Sequence, residues 1–329
     1  MTIEQELKLH VQEPSRQAVK DIVNTPAAET IHLHAFYFDT CTRELAQAGI
    51  ALRLRNEQGS WIQTIKLAGD DALSKIEYNH PRPEATLDLS VYAGTPAEQA
   101  CQQLKNALTA RFETDIYRTL RLEETPHGVL ELAYDEGRIR SGALEIPVCE
   151  LELELKEGAS AAIFTAAKAW QQQYQFILDF RSKAERGDAL ASAAIGSTAL
   201  DSNFTLWRPW QVEASDLAML GKEQAIQPYL EQCARNAAVI TGIDRSDMES
   251  EVSLSLSQHI NLLCSALQYL QELLASASDQ AQQEPLLSAL AYYEKEFATA
   301  SPEKAKLLAC STAFQASLLN ILARTILKP

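Results

Sequence analysis

Three short stretches of the sequence carry charged side chains at every second position. They are EQELK with Glu4, Glu6 and Lys8, ALRLR with Arg53 and Arg55, and CELELELK with Glu150, Glu152 and Glu154. Residues two apart on a β-strand share one face of the sheet. Carboxylates are preferred ligands of hard cations such as Mg²⁺ or Mn²⁺, and guanidinium groups match phosphate oxygens. Together the stretches predict a site for metal-bound phosphates, and a triphosphate fits that description.

The charged faces also predict how the sheet is arranged. For one strand alone, a solvated face is the simpler interpretation, since antiparallel sheets commonly bury one face and expose the other. Rows of like charges repel each other, however, unless opposite charges lie across from them. A closed barrel satisfies this requirement if its charged faces point inward and helices cover the leucines outside.

Period-two segments separated by turn residues predict eight strands before residue 187, at 3–11, 31–38, 50–56, 60–67, 75–79, 116–123, 129–135 and 148–156. Helical periodicity predicts helices near 15–24, 96–110 and 159–174. The N-terminal part is therefore expected to be α+β, with an eight-stranded antiparallel β-tunnel and flanking helices.

The C-terminal part lacks strand patterns. Ala, Leu, Ser and Gln recur at helical spacing, which predicts an all-α bundle with helices at 213–240, 252–276, 282–299 and 302–327. Residues 188–212 contain turn-forming residues and are predicted to be a linker. The expected domains are residues 1–199 and 200–329.

Composition narrows the classes of function. The 329 residues are 46% hydrophobic, enough for two cores. The 29 Lys and Arg against 44 Asp and Glu give a net charge of −15, which disfavours non-specific nucleic-acid binding. No apolar run approaches the roughly 18 residues of a membrane span. We therefore expect no nucleic-acid or membrane partner, and a cytoplasmic location.

Other common site motifs are missing from the sequence. The six cysteines form no Cys-x-x-Cys pair and the six histidines have no His-x-x-x-His spacing, so neither a disulfide framework nor a zinc site is predicted. The glycines form no phosphate-binding loop before a helix. Anion binding must then depend on the Lys and Arg side chains.

The charged stretches resemble the CYTH superfamily of triphosphate tunnel metalloenzymes over about residues 1–190. The sequence is also similar to bacterial inorganic triphosphatases, in which a CYTH domain precedes a helical domain, at EYN (77–79), TLDLS (86–90), FETDIYR (112–118), ELAYDEG (131–137), PVCELELEL (147–155) and SKAERG (182–187). The resemblance implies hydrolysis of inorganic tripolyphosphate to pyrophosphate and phosphate with Mg²⁺, or with Mn²⁺.

By position, the resemblance implies roles for individual residues. The implied metal ligands are Glu4, Glu6, Glu77, Asp135, Glu152 and Glu154. The implied phosphate-binding residues are Lys8, Arg53, Arg55, Lys66, Arg118, Lys183 and Arg186. Glu4, Glu6, Lys8 and Lys66 are the expected catalytic residues. In the implied reaction, a water activated by the metal or oriented by a carboxylate attacks the terminal phosphorus in line.

The sequence departs from many family members at two positions. Asn79 replaces the second Glu of a Glu-x-Glu pair, and Ile116 replaces a Lys two residues before Arg118. Altered metal number or substrate preference is the expected consequence. Class IV adenylate cyclase and thiamine triphosphatase activity use the same fold and stay open as alternatives. A non-catalytic polyphosphate-binding module is a third, against which the concentration of carboxylates argues.

Several other residues are expected to have structural roles. They are Tyr37 in the core or rim, Asp39 in a turn, His32 and His34 as a solvated pair, and Trp207 with Trp210 as packing anchors between the domains. For Asp135, a turn role and a water-mediated metal role are equally weighted.

The helical half is predicted to be a reduced or divergent CHAD-like domain, or an unrelated bundle. CHAD domains in relatives carry His, Lys and Arg clusters thought to engage polyphosphate. Residues 200–329 contain one histidine and nine basic residues against fifteen acidic ones. We therefore expect this half to pack against the tunnel or to form a homodimer.

Overall fold

The structure is a computed structural model that describes residues 1–196, 208–244, 253–276 and 280–327. Its strands are β1 (Thr2–Val11), β2 (Glu29–Asp39), β3 (Ile50–Glu57), β4 (Ser60–Ala68), β5 (Ser74–Arg82), β6 (Thr109–Thr125), β7 (Gly128–Ser141), β8 (Leu144–Gly158) and β9 (Phe176–Leu178). Its helices are α1 (Arg16–Val23), α2 (Glu44–Gln47), α3 (Glu98–Gln102), α4 (Ala161–Gln173), α5 (Lys183–Gly196), α6 (Ala214–Leu217), α7 (Ile226–Thr241), α8 (Ser253–Ala275), α9 (Gln280–Ala298), α10 (Pro302–Cys310) and α11 (Thr312–Ile326).

Strands β1 to β8 form a closed antiparallel barrel in the order β5-β4-β3-β2-β6-β7-β8-β1. Strand β1 closes it, because its first residues pair with β5 and its later residues pair with β8, as in Thr2↔Glu77 and Lys8↔Glu152. The short strand β9, which the sequence did not predict, pairs with the end of β1. The eight predicted strands and the tunnel are confirmed, with β6, β7 and β8 longer than expected.

The alternating pattern separates the two faces of the barrel wall. Leu7 and Leu9 on β1 and Leu151 and Leu153 on β8 are at most 2% exposed and pack in a core on the outer face. The charged residues between them point into the barrel, as the alternation predicted.

Part of the barrel interior is apolar. Residues such as Leu33 on β2 and Ile116 on β6 lie on the same strand faces as the charged residues, and they pack with Leu190 and Ala191 of α5. Because this apolar cluster is buried, helix α5 fills that part of the interior and leaves the remainder polar.

One continuous core joins the barrel to the helical half. It contains Leu151 of the barrel, Phe164 of α4, Leu230 of α7 and Leu318 of α11, all at most 1% exposed. The helical half therefore packs on the outer face of the tunnel, as one of the two expectations stated. The domain limits 1–199 and 200–329 and the homodimer stay predictions.

The helix predicted for residues 96–110 is too long. Only Glu98–Gln102 is helical, and β6 begins at Thr109. The Glu44 carboxylate of α2 accepts hydrogen bonds from the Lys105 backbone N–H and from the Asn106 side-chain amide, both at 2.7 Å. These bonds hold the segment in an irregular, non-helical conformation that the apolar spacing does not reveal.

The predicted linker at 188–212 is also wrong in part. Helix α5 (Lys183–Gly196) occupies its first residues, because Leu190 and Ala191 are buried in the barrel interior. Trp207 lies outside the described residues. Trp210 lies 5.1 Å from the guanidinium carbon of Arg235 and hydrogen-bonds to Asn236, both on α7.

The predicted helix 302–327 is broken into α10 and α11, which meet at 54°. Ser311 caps α11 by accepting a hydrogen bond from the Phe314 backbone N–H at 3.3 Å. In the described part of the chain, no single helix is long and apolar enough to cross a membrane. The α10–α11 pair passes that test only when joined, and its Phe314 and Leu318 are buried in the core.

We expect Gly187→Ala to destabilise the protein. A Cβ on Gly187 would overlap the ring of Phe112, which is itself stacked on Tyr37 with 4.5 Å between ring centres. Overpacking of this kind costs about 1–3 kcal/mol of unfolding free energy. Urea unfolding measures the loss. The control is Gly221→Ala, where the nearest atom to a new Cβ is 3.6 Å away; equal stability of the two variants would contradict the packing argument.

Candidate functional site

A cavity of about 690 Å³ occupies the polar part of the barrel. Eleven of the residues predicted from the sequence line it: Glu4, Glu6, Lys8, Arg53, Arg55, Lys66, Glu77, Arg118, Glu152, Glu154 and Lys183. The strands therefore bring residues from both ends of the N-terminal half into one chamber.

One wall of the cavity is basic. Arg53 and Arg55 lie two apart on β3, and Lys66 follows on β4, where its ammonium contacts Glu4 (3.2 Å) and Glu77. The Nε atoms of both arginines are buried without a hydrogen-bond partner. Burial, followed by the charge of Arg53, lowers the pKa of Arg55 to about 10. Glu57 pairs with Arg55, so the two neighbouring guanidinium groups share one carboxylate, and a further anion would reduce the repulsion between them.

The opposite charges lie on β1, β7 and β8. Glu6 pairs in register with Glu154, and Glu154 pairs with Glu131, so three carboxylates stand side by side. Lys156 is the cation near them, 2.8 Å from Glu154 and 3.5 Å from Glu131. In the described part of the chain, Glu6 has no cation within ion-pair distance.

The crowding of carboxylates shifts the ionisation of Glu154. Burial raises its pKa, against the hydrogen bond from Lys156, and the charges of Glu4 and Glu131 raise it further. A proton, or a metal ion, relieves such repulsion.

A second carboxylate group is already neutralised. One oxygen from each of Asp135, Glu150 and Glu152 lies within 4.8 Å of the others. The Lys183 ammonium lies among them, at 2.8, 2.6 and 2.7 Å respectively. Burial alone would lower the pKa of Lys183, but these three carboxylates hold it well above its ordinary value. Arg118 adds paired contacts to Asp135 at 2.6 and 2.7 Å.

Charge balance favours a hard divalent cation at Glu4, Glu6 and Glu154, although it is Asp135, Glu150 and Glu152 that bring three oxygens within 4.8 Å of one another. Glu4, Glu6 and Glu154 are oxygen donors on adjacent strands with fewer cations than negative charges. Asp135, Glu150 and Glu152 are matched by Lys183, Arg118 and Arg186. A metal ion would have to displace those side chains to reach the second group.

Comparison with known proteins places this site in a family. The sequence profile of the CYTH domain matches residues 2–187, more than half of the chain. The chain belongs to the CYTH family.

The inorganic triphosphatase of Haemophilus influenzae is 27% identical to this CYTH protein over 234 residues, which cover 69% of this chain and 61% of the relative. The match thus spans about three fifths of the relative's length. Among solved structures, a putative adenylyl cyclase from Hippeastrum, described as having a dominant triphosphatase activity, aligns at 15% identity, with 57% of this chain and 96% of its own covered and a TM-score of 0.43. A putative adenylate cyclase from Bacillus halodurans aligns at 19%, covering 52% and 91%, with a TM-score of 0.37.

Two predicted site residues do not line the cavity of this CYTH domain. Asp135 is 1% exposed and is held by Arg118 and Lys183. Arg186, expected to bind phosphate, is also 1% exposed and contacts Glu150, Asp244 and the Pro147 carbonyl oxygen. Its guanidinium is occupied by these buried partners, and the phosphate-binding role of Arg186 stays a prediction.

The contacts of Trp210 are to α7 of its own half, and the other residues expected to be structural lie in the barrel domain. The Asp39 carboxylate accepts hydrogen bonds from three backbone N–H groups, including those of Leu45 and Ala46, and so fixes the turn into α2. His32 and His34 face partly solvated carboxylates on β6 at 2.7 and 3.0 Å. Tyr37 is buried and also lines the cavity.

Several residues of the site were missed. Glu57, Glu131 and Lys156 line the cavity, and each lies an even number of positions from a predicted residue on its strand, so the alternation carried that signal. Asp179 and Arg181 are a buried pair beyond β9, with 3.0 and 2.9 Å between their polar atoms. No strand pattern in the sequence pointed to them.

Acid should destabilise this CYTH protein through His10. Burial, and then the charge of Arg186, lowers the pKa of His10 from 6.5 to about 4. Between these values the unfolded chain binds the proton and the folded chain does not, so stability falls as pH falls from about 6.5 to about 4, by about 3 kcal/mol in total. Urea unfolding across this pH range measures the effect.

The His10→Gln variant should lose this part of the acid dependence. The control is His127→Gln, because His127 is exposed in the turn between β6 and β7 and should leave the dependence as it is in the unmodified chain. An unchanged pH slope in His10→Gln would contradict the assignment to this buried imidazole.

Proposed function

We propose that this CYTH protein hydrolyses inorganic tripolyphosphate to pyrophosphate and phosphate with a divalent cation. The observation that carries the proposal is two sets of under-compensated charges in one cavity: neighbouring guanidiniums at Arg53 and Arg55, which have one ion-pair partner between them in Glu57, and a carboxylate at Glu6 without a cation within ion-pair distance among the described residues. An anion alone would answer only the first of these, whereas a metal-bound polyphosphate answers both. The naming of the Haemophilus influenzae relative as an inorganic triphosphatase supports the same substrate class.

The basic and acidic walls of the cavity have different binding roles in this proposal. Arg53, Arg55 and Lys66 bind phosphate oxygens on the basic wall. Glu4, Glu6 and Glu154 would hold the cation on the acidic wall, with Glu131 beside them. Mg²⁺, or Mn²⁺ in its place, neutralises phosphate charge when bound.

The reaction needs positioning and electrostatics more than covalent chemistry. A water held by the cavity carboxylates attacks the terminal phosphorus in line with the departing oxygen. Lys8 and Lys66 stabilise the charge that develops on the leaving pyrophosphate. Arg118 and Lys183 border the same cavity, and the carboxylates that pair with them fix these cations at the wall, where they meet phosphate oxygens of the substrate.

The helical half has a packing role in this proposal and is a divergent CHAD-like domain. The described Arg235 of α7 lines the cavity, but it already contacts Glu185 and Trp210. A basic groove for long polyphosphate is therefore not part of the proposal.

Phosphate release should be fast with tripolyphosphate and Mg²⁺, and absent with ATP or thiamine triphosphate. Arg53→Met should lower kcat/KM by about 100-fold, the cost of removing one group that stabilises transition-state charge. The matched control is Arg138→Met, because Arg138 is half-exposed and pairs with Glu145 outside the cavity. Pyrophosphate release from ATP would instead indicate a cyclase, and tight metal-free binding of tripolyphosphate without turnover a binding module.

The metal should depend on Glu6 more than on Asp135. Glu6→Gln should weaken Mn²⁺ binding at least about tenfold. Asp135→Asn should chiefly lower the unfolding temperature, since it leaves Arg118 and Lys183 short of a buried partner. Electron paramagnetic resonance titration with Mn²⁺ measures both variants. A larger loss of Mn²⁺ affinity in Asp135→Asn than in Glu6→Gln would place the ion at the second carboxylate group and contradict this assignment.

A further inference from the structure

A buried carboxylate of the helical half lies between two arginines of the tunnel domain. Helix α7 ends at Gly242, whose left-handed backbone (φ 78°) turns the chain toward the barrel. Asp244 follows and is 1% exposed. One of its oxygens lies 2.9 Å from Arg186 Nε and the other 2.7 Å from Arg181 Nη1. A single side chain thus holds both guanidiniums.

Arg186 is connected to the cavity residue Lys183 through Glu150. Arg186 contacts one Glu150 oxygen and donates to the Pro147 carbonyl oxygen at 2.8 Å. The other Glu150 oxygen lies 2.6 Å from Lys183 Nζ. The position of Glu150, and with it that of the Lys183 ammonium, therefore depends on where Arg186 is held.

Arg181 is connected to the cavity residue Lys8 through its backbone carbonyl oxygen. Arg181 is fixed by Asp179 and Asp244, and its backbone carbonyl oxygen accepts a hydrogen bond from Lys8 Nζ. Both lysines line the cavity. Asp244 therefore contacts Arg181, whose backbone carbonyl oxygen holds Lys8, and is two contacts away from Glu150, whose side chain holds Lys183.

Asp244 belongs to a buried charge network, which Lys8 joins through the Arg181 carbonyl oxygen and the other members join through ion pairs. Its five cations are Lys8, Arg118, Arg181, Lys183 and Arg186, and its five carboxylates are Asp135, Glu150, Glu152, Asp179 and Asp244. Without the Asp244 charge, two buried guanidiniums compete for the remaining carboxylates. Arg186 then draws Glu150 away from Lys183, and Arg181 loses one of its two anchors.

We propose that Asp244 is a positioning residue that places Lys8 and Lys183 for the phosphates of the substrate through Arg181 and Arg186. This inference rests on the proposed function for its effect on catalysis. The helical half is then a part of the catalytic unit, although it contributes no group that touches the substrate in this role.

The test is a double-mutant cycle on kcat/KM for tripolyphosphate with Mg²⁺. Asp244→Asn should lower kcat/KM by about tenfold or more in the unmodified chain, since small displacements of positioned groups are costly. In a background that already carries Lys8→Met and Lys183→Met, the same change should cost less than about twofold. An equal loss in both backgrounds would show that Asp244 acts on stability alone and would overturn the proposal.

Two further variants keep the test decisive. Glu231→Gln makes the same chemical change on α7, where the nearest cation is Arg235 at 3.5 Å, and should leave kcat/KM unchanged. If Asp244→Asn does not fold, Asp244→Glu retains the charge at a longer reach and goes through the same cycle, with a smaller loss expected.

The proposed function and the positioning role can fail separately. An unmodified chain that neither hydrolyses nor binds tripolyphosphate refutes the proposed function. The double-mutant cycle is then carried out with the urea unfolding midpoint, in place of kcat/KM, as the measured quantity. Non-additive shifts for Asp244→Asn and Lys183→Met would support the physical coupling, and additive shifts would refute it.

Discussion

Charge enclosed in a barrel is the constraint on which the rest of this structure depends. Strand alternation sends every second side chain inward, and on β1, β3 and β8 those side chains are charged. Inside a closed sheet they cannot turn to solvent, so each must be matched by an opposite charge or by a ligand. The outward leucines impose the complementary requirement, because they need a cover. Helix α4 and the helical half provide it through one shared core.

The degree of matching separates charges that the protein itself positions from charges that need a ligand. Where Lys183 stands among Asp135, Glu150 and Glu152, the charges are satisfied within the protein, and three carboxylates fix the ammonium at the cavity wall. Where Arg53 faces the cavity, or Glu6 stands beside Glu154, satisfaction requires something from outside. A buried charge with too few partners is costly in the free protein, and the ligand that removes the cost is bound with corresponding strength.

Much of the fold and the cavity could be predicted because period-two alternation is a local signal. The predicted strands show this alternation, and residues two positions apart on a strand, such as Arg53 and Arg55, must share a face. The helix at 96–110 failed because Glu44, more than fifty residues away, captures the backbone and side chain of Lys105 and Asn106. Helix α5 was missed because Leu190 and Ala191 are small parts of a core assembled from four distant strands.

The same reasoning explains why Arg186 was assigned to the substrate. Its type and its neighbourhood to Lys183 in SKAERG suggest a second phosphate ligand, and neither reveals that its partner is Asp244, 58 residues later. A pairing between halves leaves no periodic trace in a single sequence. Asn79, which replaces a Glu of many family members, has partners nearby in the sheet. It donates a hydrogen bond to Glu77 at 3.0 Å and accepts one from Thr64 at 2.7 Å, so the neutral side chain is satisfied by neighbouring strands.

The boundary of the family domain and the boundary of the charge network do not coincide. The CYTH profile ends at residue 187, just beyond Arg186, while the carboxylate that neutralises Arg186 and Arg181 follows α7. A tunnel cut at that boundary would keep every strand and lose a buried counter-charge, leaving guanidiniums to compete for Glu150. The residues that form the barrel are thus fewer than the residues that neutralise the charges inside it. The helical half therefore contributes to the charge network as well as to the outer core, because it supplies Asp244 to that network.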